Sequence, residues 1–105
     1  MSFANQQKMM KQMQKMQADL ARLEDELNEM TVEAAAGGGA VRCVMTCKQE
    51  VKEIAIDPEL LNPEEADMLQ DLLIAAFNEA GRLAQEKAAS EMQKITGNVK
   101  IPGLR

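Results

Sequence analysis

Between Met9 and Met30 the apolar side chains fall at Met9, Met13, Met16, Leu20, Leu23, Leu27 and Met30, in alternating steps of four and three. That is an a/d seam held through three heptads. Lys, Gln, Glu, Asp and Arg fill most of the gaps, with no Gly or Pro. The pattern predicts one helix, capped by Ser2 or Asn5 and running to about Met30. At 1.5 Å per residue it spans about 40 Å. So narrow a stripe needs a partner helix lying almost parallel to it, in the same subunit or another. A core helix on a sheet is the plainer alternative. Four of the seven seam residues are Met, which packs adaptably, so a surface gripping a partner peptide also fits.

The period changes at Thr31. Val32, Ala34 and Ala36 alternate with Glu33 and Ala35, a weak first strand. Gly37-Gly38-Gly39 permits the positive φ angles of a hairpin turn. A phosphate-cradling loop is the sharper reading of three glycines, but no GKS/T sequence follows and a strand comes next, which favours the hairpin. Ala40 to Cys47 reads as the second strand, with Val41, Cys43 and Met45 on one face and Arg42, Val44 and Thr46 on the other. Val51 to Ile56 reads as the third, with Ile54 and Ile56 sharing a face. Asp57-Pro58-Glu59 ends the antiparallel meander, since Pro58 cannot donate a ladder hydrogen bond.

Asn62-Pro63-Glu64-Glu65 is a strong helix-start signal. Asn62 suits the N-cap, Pro63 the first turn, and Glu65 the far side of a capping box. Glu64, Glu65 and Asp67 favour the positive end of the helix dipole, which explains these carboxylates better than acid–base chemistry does. The second helix runs through Leu69, Leu72, Leu73, Ala76, Phe77, Ala80, Leu83, Ala84, Ala88, Met92 and Ile95 until Gly97. Gly81 inside it costs about 1 kcal/mol relative to Ala and is a candidate kink.

The chain therefore reads as one α+β domain over residues 1–105, ordered α-β-β-β-α. Helix 1 takes 1–30, a three-stranded antiparallel sheet 31–57, helix 2 62–96, and a tail 97–105. Six-residue strands are only about 20 Å long, so part of each long helix must project as an arm. If helix 2 folds back over the sheet, its end meets the start of helix 1 in one antiparallel arm. So thin a shape leaves little private core. A symmetric dimer joined through the sheet and the first half of helix 2 is the remedy, with Val41, Cys43, Met45, Leu69, Leu72, Leu73 and Phe77 as its expected interface. Two bodies joined and two arms projecting make a fork.

Charge changes the picture through its distribution. The 105 residues carry a net charge of −5, which argues against nucleic acid. Yet residues 1–20 hold three Lys against one Asp, residues 21–80 four bases against fourteen acids, and residues 81–105 five bases against two acids. The chain is basic at both ends and acidic in the middle. A shared arm tip would carry about +5. There is no His, Trp or Tyr, and Phe3 and Phe77 are the only aromatics. That removes the usual general base and any platform for stacking unpaired bases. Cys43 and Cys47 without His make no zinc site, so no metal or cofactor is expected. Placed in one strand about 13 Å apart, they are too distant for a disulfide and read as buried, reduced small hydrophobes. No apolar run reaches membrane length and no signal peptide is evident, so a cytoplasmic protein is expected.

Four stretches taken together resemble the YbaB/EbfC family of nucleoid-associated proteins: Val32 to Cys43, VEAAAGGGAVRC; Val51 to Leu61, VKEIAIDPELL; Met68 to Ala80, MLQDLLIAAFNEA; and Thr96 to Leu104, TGNVKIPGL. The resemblance covers nearly the whole chain. It implies a homodimeric, tweezer-shaped, nucleoid-associated protein that binds double-stranded DNA with projecting helices and has no enzymatic activity. The chain departs from the family at two turns. It has Thr46-Cys47 where an Asn-Gly hairpin is frequent, and Gly97-Asn98 where Gly-Gly is frequent.

The expected function is sequence-tolerant binding of duplex DNA, with a role in nucleoid organisation or gene regulation. No membrane and no small-molecule substrate is involved. Lys8, Lys11, Lys15, Arg22, Arg82, Lys87 and Lys94 are the candidate phosphate contacts, with Lys100 and Arg105 behind them. Lys8, Lys11 and Lys15 recur at steps of three and four, so they share one helix face. One rival is a coiled-coil protein-interaction module whose lysines only solubilise it. Another is RNA or ribosome binding.

Overall fold

A computed structural model describes residues 3–97, so the expected contacts at Lys100 and Arg105 and the cap at Ser2 lie outside the described residues. Helix α1 spans Phe3–Leu27, strands β1, β2 and β3 span Thr31–Ala36, Val41–Thr46 and Val51–Ile56, and helix α2 spans Ala66–Thr96. The expected order and the antiparallel β1-β2-β3 meander are both present. The molecule is a rod of 74 × 26 × 15 Å.

Local chemistry explains the boundaries. α1 stops at Leu27, one turn before Met30. The Met30 carbonyl then accepts the Cys47 N–H at 2.9 Å, tying the start of β1 to the end of β2. Gly37, Gly38 and Gly39 all take positive φ in the first hairpin turn. In the second hairpin Gln49 takes φ 66°, filling the left-handed position that a glycine often supplies. Thr46 is buried, contrary to its expected outward position, and its Oγ1 accepts the Glu50 N–H at 3.1 Å in that turn. β2 and β3 slip register between Val44 and Met45, leaving Lys52 as the extra residue of a bulge. Asn62 Oδ1 accepts the Glu65 N–H at 3.1 Å, so the Asn62 half of the expected capping box forms, without a reciprocal bond from the Glu65 carboxylate among the described residues. It closes a 3₁₀ turn over Pro63–Glu65, and α2 proper begins at Ala66. α2 runs uninterrupted through Gly81 and stops before Gly97.

The core sits between α2 and the first two strands. Ala76, Ala80 and Ala84 are wholly buried and form the stripe of α2 that meets the sheet. Their small size lets the helix approach Val41 and Cys43, which are equally buried. Leu72 closes the hairpin end, where a Cβ on Gly37 would come within 2.9 Å of its Cδ2. This packing corrects the expected dimer interface. Val41, Cys43 and Met45 are consumed by the protomer's own core beneath α2 and are not available to a partner. Leu69, Leu72, Leu73 and Phe77 flank that core and stay half-exposed. β3 is left largely open, with Val51 and Ile54 exposed.

A second cluster joins the helices. Leu23 and Leu27 of α1 bury against Cys47, with Met30, Ala88 and Ile95 packed around them. Cys43 and Cys47 are thus both buried, but in different clusters. Cys47 lies one residue beyond β2, in the turn.

Candidate nucleic-acid interface

The α1 seam is covered along only half its length. Leu23 and Leu27 are buried by the end of α2, and Met16, Asp19 and Leu20 are half-buried. Every residue from Phe3 to Lys15 is exposed. The expected arm of two helices sharing one basic tip is therefore not formed. α2 runs out near the middle of α1, and some 13 residues, about 20 Å of helix, project alone. α2 reaches only the half of α1 that starts about Met16, because most of its 31 residues are spent crossing the sheet.

The ion pairs divide the basic residues into two groups. Arg22 pairs with Asp19 at 3.1 Å and with Glu26 at 3.5 Å. Arg82 is held by Glu79, and by Glu86 at 2.8 Å. Glu79 first, then Glu86, push its guanidinium above its ordinary pKa. Lys94 pairs with Glu91 at 2.6 Å. Lys87 reaches the Thr31 carbonyl at 3.4 Å, beside the helix-helix joint. Arg42, Lys48 and Lys52 pair with Glu33, Glu24 and Glu50. Among the described residues, Lys8, Lys11 and Lys15 have no carboxylate within ion-pair distance.

Among the described residues, these three lysines form the one cluster of cations without an ion pair; Lys87, which also has none, stands alone beside the helix-helix joint. Phe3 to Ala18 contains no acidic residue. Arg22, Arg82 and Lys94 each have an acid three or four residues away, where helical neighbours meet. Lys15 and Lys87 have Asp19 and Glu91 at the same spacing, but those acids pair with Arg22 and Lys94 instead. At the opposite end of the chain's charge pattern, residues 53 to 79 carry eight acids and no base. The field is thus polarised along the chain, positive on the bare start of α1 and negative around β3 and the start of α2.

The YbaB/EbfC DNA-binding family matches residues 1–99 of the sequence. The chain belongs to that family. Proteins named as nucleoid-associated are similar over nearly its whole length. One from Moorella thermoacetica is 55% identical over 104 residues, covering 99% of this chain and 100% of its own. Another from Pelotomaculum thermopropionicum is 54% identical over 100 residues, covering 95% of each. The crystal structure of an uncharacterized protein from Helicobacter pylori shares the fold, with a TM-score of 0.72 at 22% identity, over 92% of this chain and 99% of that one. A YbaB/EbfC protein is a nucleoid-associated DNA-binding protein and not an enzyme. No described helix is long and apolar enough to cross a membrane.

Proposed function

We propose that this protein is a homodimer that grips double-stranded DNA through the bare basic starts of its α1 helices, reading charge and not sequence. The observation that carries this is the contrast at the cations: Lys8, Lys11 and Lys15 are exposed and, among the described residues, unpaired by any carboxylate, while Arg22, Arg82 and Lys94 are neutralised within their own helices. A lysine already bound to a carboxylate must break that pair before it can neutralise a phosphate, so the tip lysines lead the contact. The acidic surface from Glu53 to Glu79 repels the duplex and leaves the arms as the approach. The dimer joins bodies through the half-open flank of α2, at Leu69, Leu73 and Phe77, and the uncovered Val51 and Ile54 of β3. Exposed apolar side chains on an edge strand support that placement.

The test is a band-shift at low salt with duplexes of unrelated sequence. Wild-type protein should shift all of them alike, and the Lys8→Gln, Lys11→Gln, Lys15→Gln triple variant should shift none comparably. If wild type shifts no duplex, the rival reading of α1 as a protein-interaction arm takes its place. Preference for folded RNA over duplex DNA in competition would favour the other rival.

A further inference from the structure

The bare start of α1 has two faces. In the heptad set by Met9 at d and Met13 at a, Lys8 and Lys15 fall at c and Lys11 at f. At 100° per residue the lysines stand on the side of the helix opposite the Met seam. The e and g positions that flank the seam are Phe3, Asn5, Met10, Gln12 and Gln17, none of them charged. Charge appears at these positions only from Asp19 onward, where α2 already lies alongside. Met9, Met10 and Met13 are 50%, 60% and 58% exposed, so the apolar line that α2 covers further along is open here.

We propose that residues 3–16 of α1 are a self-recognition segment, which docks along its Met seam against the same segment of a second copy. Continuity is the first argument: the open half is the same a/d line that is half-buried at Met16 and Leu20 and packs against α2 at Leu23 and Leu27. Charge is the second. Two tips each carrying three lysines would ordinarily repel, and partner choice in paired helices is set at e and g. Here those positions are neutral and the lysines point outward, so two identical tips meet without opposed charges. The lysines stay free for phosphate on the outside of the pair. Gln6, the next seam position, gives the contact one polar layer, a device that fixes register at some loss of strength. Gln6, Gln12 and Gln17 in and beside the seam also disfavour insertion into lipid, where buried amides lose their hydrogen bonds. Two heptads make a weak contact. It gains because the tip is continuous with the packed half of α1, which lowers the ordering needed on binding, and because copies side by side raise their local concentration.

Face-selective cross-linking without DNA tests this. The Met9→Cys, Met13→Cys and Lys11→Cys variants alter exposed positions, and the native thiols are buried. Under mild oxidation the Met9→Cys and Met13→Cys proteins should form covalent two-chain species several-fold faster than the Lys11→Cys protein. Wild type should form none. Equal rates at Met13→Cys and Lys11→Cys, or no species at either Met position, would overturn the proposal. So would protection of the Met13→Cys thiol by anionic vesicles but not by rising protein concentration, which assigns the seam to lipid. Because no nucleic acid is present, the outcome is independent of the DNA reading.

Discussion

Gly37 and the two cysteines show how single residues carry the fold. Gly37 combines φ 63° with a side-chain wall at 2.9 Å, so Gly37→Ala meets strain from the backbone and from Leu72 together. Denaturant unfolding should show a loss of about 1–3 kcal/mol, against a smaller loss for Gly38→Ala, where φ is positive but the space is open. Burial pushes the thiol of Cys43 above its ordinary value. Burial does the same at Cys47, where Lys87 pulls the value down and Glu91 pushes it up. In the unfolded chain these thiols ionise near their ordinary 9.0, while in the fold they hold their protons to higher pH. Their contribution to stability is therefore intact below pH 9 and is lost as pH rises through the folded values. Denaturation midpoints measured between pH 8 and pH 10.5 should fall over the upper part of that range, and thiol reagents should label neither residue quickly without denaturant. At this scale the sequence was a partial guide. Alternation placed Cys43 on the inner face. Period two gave no sign that Cys47 leaves the strand and seals a different cluster, because that depends on the Met30 carbonyl.

Among the elements, α2 is the ruler of the molecule. Its Ala76-Ala80-Ala84 stripe sets how closely helix and sheet approach. Ala80→Leu overfills that contact and should cost about 1–3 kcal/mol, read from chemical denaturation, with α2 still helical by circular dichroism. The pairing of its bases matters equally. Arg82→Gln and Lys94→Gln remove charges already cancelled by Glu79, Glu86 and Glu91, so each should weaken duplex binding less than Lys11→Gln does. Filter-binding titrations of the three single variants at one salt concentration make that comparison. The long helices, the meander and the Asn62 cap follow from periodicity and cap chemistry, and all are found. What the pattern hid was overlap. A heptad repeat states that α1 wants a partner helix, but not how far that partner extends, and α2's length is divided between sheet and arm only in three dimensions. Hence Lys8, Lys11 and Lys15 stand apart from Arg82, Lys87 and Lys94, when the sequence pattern had put all six in one tip.

As a whole molecule the protein is a polarised rod, 74 Å long, with its bare basic helix projecting beyond a body rich in acid. Sedimentation at micromolar concentration should give a dimer, and Ile54→Lys on the open strand should shift it towards monomer while leaving the helices intact. The central claim is that DNA is held by phosphate contact at the bare start of α1. Each neutralised phosphate on B-DNA contributes about −0.9 to the slope of log binding constant against log salt concentration. Replacing Lys8, Lys11 and Lys15 by Gln preserves helix propensity and the Met seam. The measurement is that slope, for wild type and triple variant, on one duplex. The account predicts that it shrinks by about 3 units for each arm engaged. An unchanged slope in the triple variant, or a comparable reduction from Lys48→Gln in the β2–β3 turn and Lys52→Gln on β3, would contradict it.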